Sequence, residues 1–172
     1  MESLFQELAR LLEAGQRAVL ATVIASRGST PQKPGARLLV RADGSMLSTL
    51  GGGCVEAEAW QEAMKALSSG VASIGSFSLS DDLAAESGLL CGGTMEVLID
   101  PWRKEDLPLA QEIARALAGG PRATLATLVK GRLGARLLVR EDGARFGSLG
   151  DPALDDQAAS SISARKARLS LS

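Results

Sequence analysis

Two cysteines, each beside a run of glycines, are the residues of this chain best suited to chemistry. Cys54 follows Gly51-Gly52-Gly53 and precedes Val55-Glu56, while Cys91 leads into Gly92-Gly93-Thr94. Thiolates are nucleophiles and soft ligands. The first glycine run stands between an apolar strand pattern, Met46 to Leu50, and a helical pattern, Glu56 to Leu67. Successive glycines at such a junction leave backbone amides unshielded at the positive end of a helix dipole, an arrangement that takes anions. Cys54 falls in the first helical turn, where a thiolate is stabilised.

Absences narrow the chemistry further. The chain has no histidine and no tyrosine. Histidine general bases, Ser-His and Cys-His dyads and most single-chain transition-metal sites are excluded. Proton transfer rests on Asp, Glu, Lys, Cys, water or the ligand. Two distant cysteines are too few for a disulfide framework or a four-cysteine zinc site, so no metal is expected on protein ligands alone. A net charge of -1 gives no nucleic-acid surface. No stretch approaches the ~20 apolar residues that cross a bilayer. Met1-Glu2-Ser3 lacks the basic start of a signal peptide, and a cytoplasmic protein is expected.

The elements that position these residues read as α/β. Ser3 to Glu13 has helical spacing with Ser3 as N-cap. Arg17 to Ala25 is an apolar run, read as a strand buried on both faces. Ser26 to Gly35 is a polar loop carrying Ser29, Thr30, Lys33 and two prolines, with Arg37 just beyond. Its hydroxyls and cations suit an anion, although a solvated connector has the same composition. Ala36 to Arg41 and Met46 to Leu50 flank Asp43-Gly44, a hairpin signal. After the helix come a strand at Ile74 to Leu79 and an acidic stretch with Asp81, Asp82 and Glu86. A strand from Thr94 is closed by Asp100-Pro101, and Leu107 to Leu117 is a helix.

The sequence then repeats. Arg122 to Thr127 matches Arg17 to Thr22 at five of six positions, and Gly134 to Gly143 matches Gly35 to Gly44 at nine of ten. The expected architecture is therefore mixed β-sheet flanked by helices, in two pseudo-symmetric halves from an internal duplication. Residues 1–121 form the first repeat unit, with the ligand site. Residues 122–172 form a degenerate second repeat packed on it as one globular unit. The second copy lacks the Ser-Thr-Pro-Gln-Lys-Pro loop and has Gly150-Asp151-Pro152 where the first has three glycines. Asp151 reads as an N-cap whose carboxylate repels anions. Special loop and special junction thus occur together in one copy, which points to one site. After the helix Asp155 to Lys166, Arg168 to Leu171 is read as a last strand, leaving a sheet edge open for another subunit.

Three motifs together resemble the XdhC/CoxI family of accessory proteins for molybdenum hydroxylases such as xanthine dehydrogenase. They are Gly28 to Arg37 (GSTPQKPGAR), Gly51 to Glu56 (GGGCVE) and Leu90 to Val97 (LCGGTMEV). The resemblance covers roughly the first hundred residues well and the second repeat loosely. It implies a chaperone that binds molybdenum cofactor (molybdopterin) transiently, protects it during sulfuration and helps insert it into the apo-hydroxylase. A cysteine desulfurase-type sulfur donor and a homodimer are the further partners considered. Many members carry a C-terminal Rossmann-type domain, which lies outside this chain. The cofactor-binding set expected from motif and chemistry is Ser29, Thr30, Lys33, Arg37, Gly51, Gly52, Gly53, Cys54, Glu56, Cys91, Gly92 and Gly93. Cys54 and Cys91 are candidate molybdenum contacts, and Glu56 reads equally as a capping carboxylate. The alternatives are a sulfur-transfer or redox enzyme using Cys54 and Cys91, and a docking module without ligand.

Overall fold

The computed structural model describes residues 3–78 and 93–169. It is a mixed α/β chain with two antiparallel sheets and four α-helices among the described residues. The chain divides into two compact units: Gly15–Arg103, and Met1–Ala14 with Lys104–Ser172.

The Gly15–Arg103 unit carries a five-stranded sheet. Its strands are β1 (Ala18–Arg27), β2 (Arg37–Arg41), β3 (Met46–Ser48), β4 (Ser73–Ser78) and β5 (Thr94–Trp102), in the order β3-β2-β1-β5-β4. The apolar run of β1 makes it the central strand, with β2 on one edge and β5 on the other. Alternation along the strands turns Val19, Ala21, Val23, Leu38, Val40, Met95, Val97 and Ile99 to one face. There they meet helix α2 (Gly53–Ser69) through Val55, Ala59, Ala63, Ala66 and Leu67 in one buried core. The Trp60 indole N–H donates to the Gly44 carbonyl at 2.8 Å, tying α2 to the Asp43-Gly44 hairpin.

The expected stop at Asp100-Pro101 is overturned: β5 continues to Trp102, with Val19 opposite Pro101 and Ala18 opposite Trp102. The reason is the register. β4 pairs with β5 no further than Ile99, opposite Ser73. Even-numbered residues of β5 serve β1, so Pro101, which has no N–H to donate, falls on the side that faces away from β1 and past the paired part of β4, where the ladder needs no donor.

The other unit holds helix α1 (Leu4–Glu13), helix α3 (Leu107–Leu117), helix α4 (Pro152–Leu169) and the sheet β6 (Ala123–Thr127), β7 (Arg136–Arg140), β8 (Arg145–Ser148). Ser3 and Gln6 form a capping box at the start of α1, and α1 packs on α3. Two buried carboxylates stand on these helices. Glu7 takes two bonds from the Arg10 guanidinium, at 2.7 and 2.9 Å. Glu112 pairs with Arg115 at 2.7 Å and Arg140 at 3.5 Å. Leu137, Val139, Leu149 and Ala159 form a smaller core under α4. The strand expected from Arg168 is overturned at its start, because α4 runs through Leu169. The run Ala164-Arg165-Lys166-Ala167-Arg168-Leu169 consists of strong helix formers.

The repeated sequence carries repeated register. Thr22 pairs with Arg37 and Ala18 with Arg41, as Thr127 pairs with Arg136 and Ala123 with Arg140. Leu38 faces Ser48 as Leu137 faces Gly147.

Candidate functional site

Within the Gly15–Arg103 unit, two of the three motifs and the described end of the third pack against each other. The contacts are made where glycine leaves room. A Cβ on Gly51 would lie 2.5 Å from Cβ of Pro31, so the polar loop rests directly on the first glycine run. A Cβ on Gly93 would lie 2.0 Å from the Ser29 carbonyl oxygen and 2.8 Å from Cγ2 of Thr30. The loop is thus held between the two glycine elements. Internally it is fixed by the Thr30 hydroxyl donating to the Gln32 carbonyl at 2.9 Å and by Gly35 N–H donating to the Val23 carbonyl at 2.8 Å.

The glycine run itself is a tight turn with φ of 108°, 76° and 68° at Gly51, Gly52 and Gly53. Glu56 latches it. One carboxylate oxygen accepts from Leu50 N–H at 2.9 Å, from Gly52 N–H at 3.2 Å and from the Thr49 hydroxyl. The Thr49 oxygen accepts in turn from Gly51 N–H at 2.9 Å. The Thr49 hydrogen bond, with those from Leu50 and Gly52, holds the Glu56 carboxyl below its ordinary range, against an opposing effect of burial. The amides of Gly51 and Gly52 are therefore engaged inside the turn, and Glu56 shapes it.

The second repeat supplies an internal comparison. The Ser148 hydroxyl donates to Asp155 at 2.7 Å, Leu149 N–H donates to Asp155 at 2.7 Å, and Gly150 N–H donates to Ser148 at 2.9 Å. This is the same latch in equivalent positions. The difference lies one residue on. Asp151 caps α4, accepting from Ala153 N–H at 2.7 Å and Leu154 N–H at 3.2 Å. Gly52 stands at the equivalent place, and no side chain caps α2. The first-turn N–H groups, at Gly53, Cys54 and Val55, have no acceptor within the helix by geometry. Together with the helix dipole, they present about half a positive charge to whatever stands there. Cys54 is exposed in this turn, with a free thiol.

The remaining candidates divide. Lys33 is exposed on the loop. Arg37 alternates with Leu38 and Val40, which face α2, so it belongs to the opposite face of the sheet. Burial pushes its pKa below the ordinary arginine value. Its counterpart Arg136 donates to the Gly134 carbonyl at 2.7 Å and pairs with Asp106 at 3.7 Å, a structural use. Cys91, Gly92, Asp81, Asp82 and Glu86 lie outside the described residues. Sequence reasoning missed Thr49 and Pro31. Thr49 is signalled by Ser148 at the same place in the other repeat. The contact of Pro31 with Gly51 joins residues twenty apart and left no local signal.

Comparison with known proteins agrees with the motifs. Residues 11–78 match the XdhC and CoxI family. The chain is 30% identical over 149 residues to a probable xanthine dehydrogenase subunit of Bacillus subtilis, covering 85% of this chain and 44% of that protein. It is 42% identical over 59 residues to the molybdenum cofactor insertion chaperone PaoD of Escherichia coli, covering 34% of this chain and 19% of PaoD. It is 38% identical over 97 residues to the uncharacterized protein YqeB of E. coli, covering 56% of this chain and 18% of YqeB. The crystal structure of a xanthine dehydrogenase from Bacillus halodurans shares the fold, with a TM-score of 0.64 and 24% identity over 83% of this chain and 44% of that one. The chain spans less than half the length of the curated relatives it matches. The likeness to the XdhC and CoxI family lies in residues 11–78, which hold the polar loop and the glycine run of the candidate site.

Proposed function

We propose that this chain binds molybdenum cofactor transiently and assists its transfer into an apo-hydroxylase of the xanthine dehydrogenase type. Support comes from the match of residues 11–78 to the XdhC and CoxI family and from the likeness to PaoD, a protein named as a molybdenum cofactor insertion chaperone. The observation that carries the site is the pairing of Asp151 with an open counterpart. One repeat closes its helix start with a carboxylate, and the other leaves those amides uncapped beside an exposed thiol.

The cargo is a pterin dithiolene bearing a phosphate or nucleotide. Its anionic end suits the first-turn amides of α2, to which Lys33 adds charge from the loop. Cys54 at the same turn is placed to meet molybdenum or to take part in sulfuration with a cysteine desulfurase-type donor. Gly51 and Gly93 act by seating the loop, and Glu56 and Thr49 by holding the turn. Cys91 and Gly92 complete the proposed set. Arg37 contributes to the sheet rather than to this contact. The exposed Cys54 also suits the second reading, a sulfur-transfer enzyme, in which the same thiol carries persulfide sulfur.

Reconstitution tests the delivery role. Apo-hydroxylase is supplied with limiting molybdenum cofactor anaerobically, with and without this chain. A gain in hydroxylase activity that tracks added chain is expected. No gain, with cofactor bound by the chain, would reduce the function to storage.

A further inference from the structure

A long polar side chain lies at the glycine turn in each repeat, but the two are not equivalent residues. In the second repeat it is Arg132. A Cβ on Gly150 would lie 2.6 Å from Nη1 of its guanidinium and 3.0 Å from its Cδ. In the first repeat Pro31 lies on Gly51 and Gln32 stands beside it, with Cγ 3.7 Å from the Cβ that Gly51 would carry. The backbone equivalent of Arg132 is Lys33. Ala36 N–H donates to the Lys33 carbonyl at 3.1 Å, as Ala135 N–H donates to the Arg132 carbonyl at 3.2 Å. Gly35 N–H closes the first loop on the Val23 carbonyl, as Gly134 N–H closes the second on Leu128. The longer first loop thus puts Pro31 and Gln32 against its turn, where the shorter one puts a cation. A neutral carboxamide takes the place of the guanidinium.

Gln32 is held at its root and unengaged at its tip. Its carbonyl accepts from the Thr30 hydroxyl at 2.9 Å, and its neighbour Pro31 is seated on Gly51. The side chain is half-buried, and its carboxamide has no hydrogen-bond partner among the described residues. Consecutive Cα atoms are about 3.8 Å apart, so the Gly53 residue, which starts α2, lies within about 8 Å of Gly51. The carboxamide begins one bond beyond Cγ and carries two N–H donors. The two repeats therefore arrange charge differently at the helix start. The second has a guanidinium against Gly150 and a carboxylate on the next residue, Asp151. The first has neither charge there: a carboxamide stands by Gly51, and glycine follows at 52.

We propose that Gln32 contacts the cofactor and sets how tightly it is held, donating a neutral hydrogen bond to the anion at the start of α2. This rests on the reading of that helix start as the cofactor site. A charged donor binds an anion more strongly than a neutral one, by roughly tenfold in affinity. The second repeat shows that a loop of this kind can lay an arginine on the turn. The first places an amide there instead. A neutral donor orients the anion without trapping it, which suits cargo that must leave for another protein.

Anaerobic titration of the parent chain, Gln32→Ala, Gln32→Glu and Gln32→Arg with purified molybdenum cofactor tests this. Each loaded chain is then chased with apo-hydroxylase to time the transfer, and thermal unfolding checks that each variant is folded. Gln32→Ala is expected to weaken binding by about three- to tenfold. Gln32→Glu keeps the shape but loses the donor, and is expected to weaken binding by about tenfold or more. Relative to the parent, its binding should recover as pH falls through the carboxyl range, where the protonated acid donates again. Gln32→Arg restores the charge of the second repeat, and is expected to tighten binding about tenfold and slow transfer to match. With a parent that binds, Gln32→Ala binding equally well, or Gln32→Arg binding no tighter, overturns the role of Gln32 and leaves the cofactor site in place. A parent that binds no cofactor overturns both.

Discussion

The carboxylate of Glu56 accepts the N–H of Leu50 at 2.9 Å, and Asp155 accepts the N–H of Leu149 at 2.7 Å in the equivalent place. Two acids of different length thus do the same work in two copies of one turn. Because the latch recurs where Asp151 closes the helix start, Glu56 belongs to the scaffold of the turn. The open amides beyond it are what sets the first copy apart.

Glu56→Gln tests the latch. A carboxyl held below its ordinary value of 4.5 contributes stability at neutral pH. That contribution is lost as pH falls through the folded value. Replacing the charged acceptor is expected to cost about 1–2 kcal/mol at pH 7. Denaturant titrations at pH 7 and in acid measure this, and the gap between parent and variant should close in acid.

Gly52→Asp copies the residue of the second repeat, yet it should not copy its cap. Gly52 has φ 76° and ψ -174°, a region essentially closed to other residues. The substitution is expected to lower stability by about 1–3 kcal/mol. Cys54→Asp places a carboxylate within the first turn, on helical backbone, and should stabilise by about 0.3–1 kcal/mol through the dipole. Thermal unfolding of both variants checks the opposite signs.

Gly93→Ala tests the seat of the loop. An added Cβ would stand 2.0 Å from the Ser29 carbonyl oxygen, so the backbone must move. A cost of about 1–3 kcal/mol is expected, as for overpacking elsewhere. Faster amide exchange and proteolysis within residues 28–35, with little change in α2, would show that the displacement is local to the loop.

Ser48 has φ 74° immediately before the turn, where the other repeat has Gly147 at φ 79°. Ser48→Gly relieves a left-handed conformation that costs about 1–3 kcal/mol in a non-glycine residue, offset in part by the backbone entropy of glycine. A net gain of up to about 1 kcal/mol is expected in a denaturant titration.

Much of this arrangement was legible in the sequence because it is local. Ser3 capping α1, Asp43-Gly44 turning the hairpin, Asp151 capping α4 and Cys54 in the first turn of α2 all follow from short-range rules. The bounds of α3 follow from periodicity. What escaped depends on register or on distant contacts. Pro101 sits inside β5 because β4 is short, which no reading of Asp100-Pro101 alone could reveal. Arg37 shares its motif with Lys33 but alternates onto the other face of the sheet. The second thiol motif was legible as Cys91-Gly92-Gly93, and its described end, Gly93, reaches the loop through Ser29.

The most direct measurement is anaerobic binding of purified molybdenum cofactor to the parent chain, Cys54→Ala and Cys54→Asp, each shown to be folded. Cys54→Ala removes the thiol without adding charge, whereas Cys54→Asp sets a carboxylate at the uncapped start of α2. The parent is expected to bind, Cys54→Ala to bind more weakly, and Cys54→Asp to lose binding while unfolding at an equal or higher temperature. Binding by Cys54→Asp as tight as the parent's, or no binding by the parent, would contradict the assignment of the cofactor to this helix start.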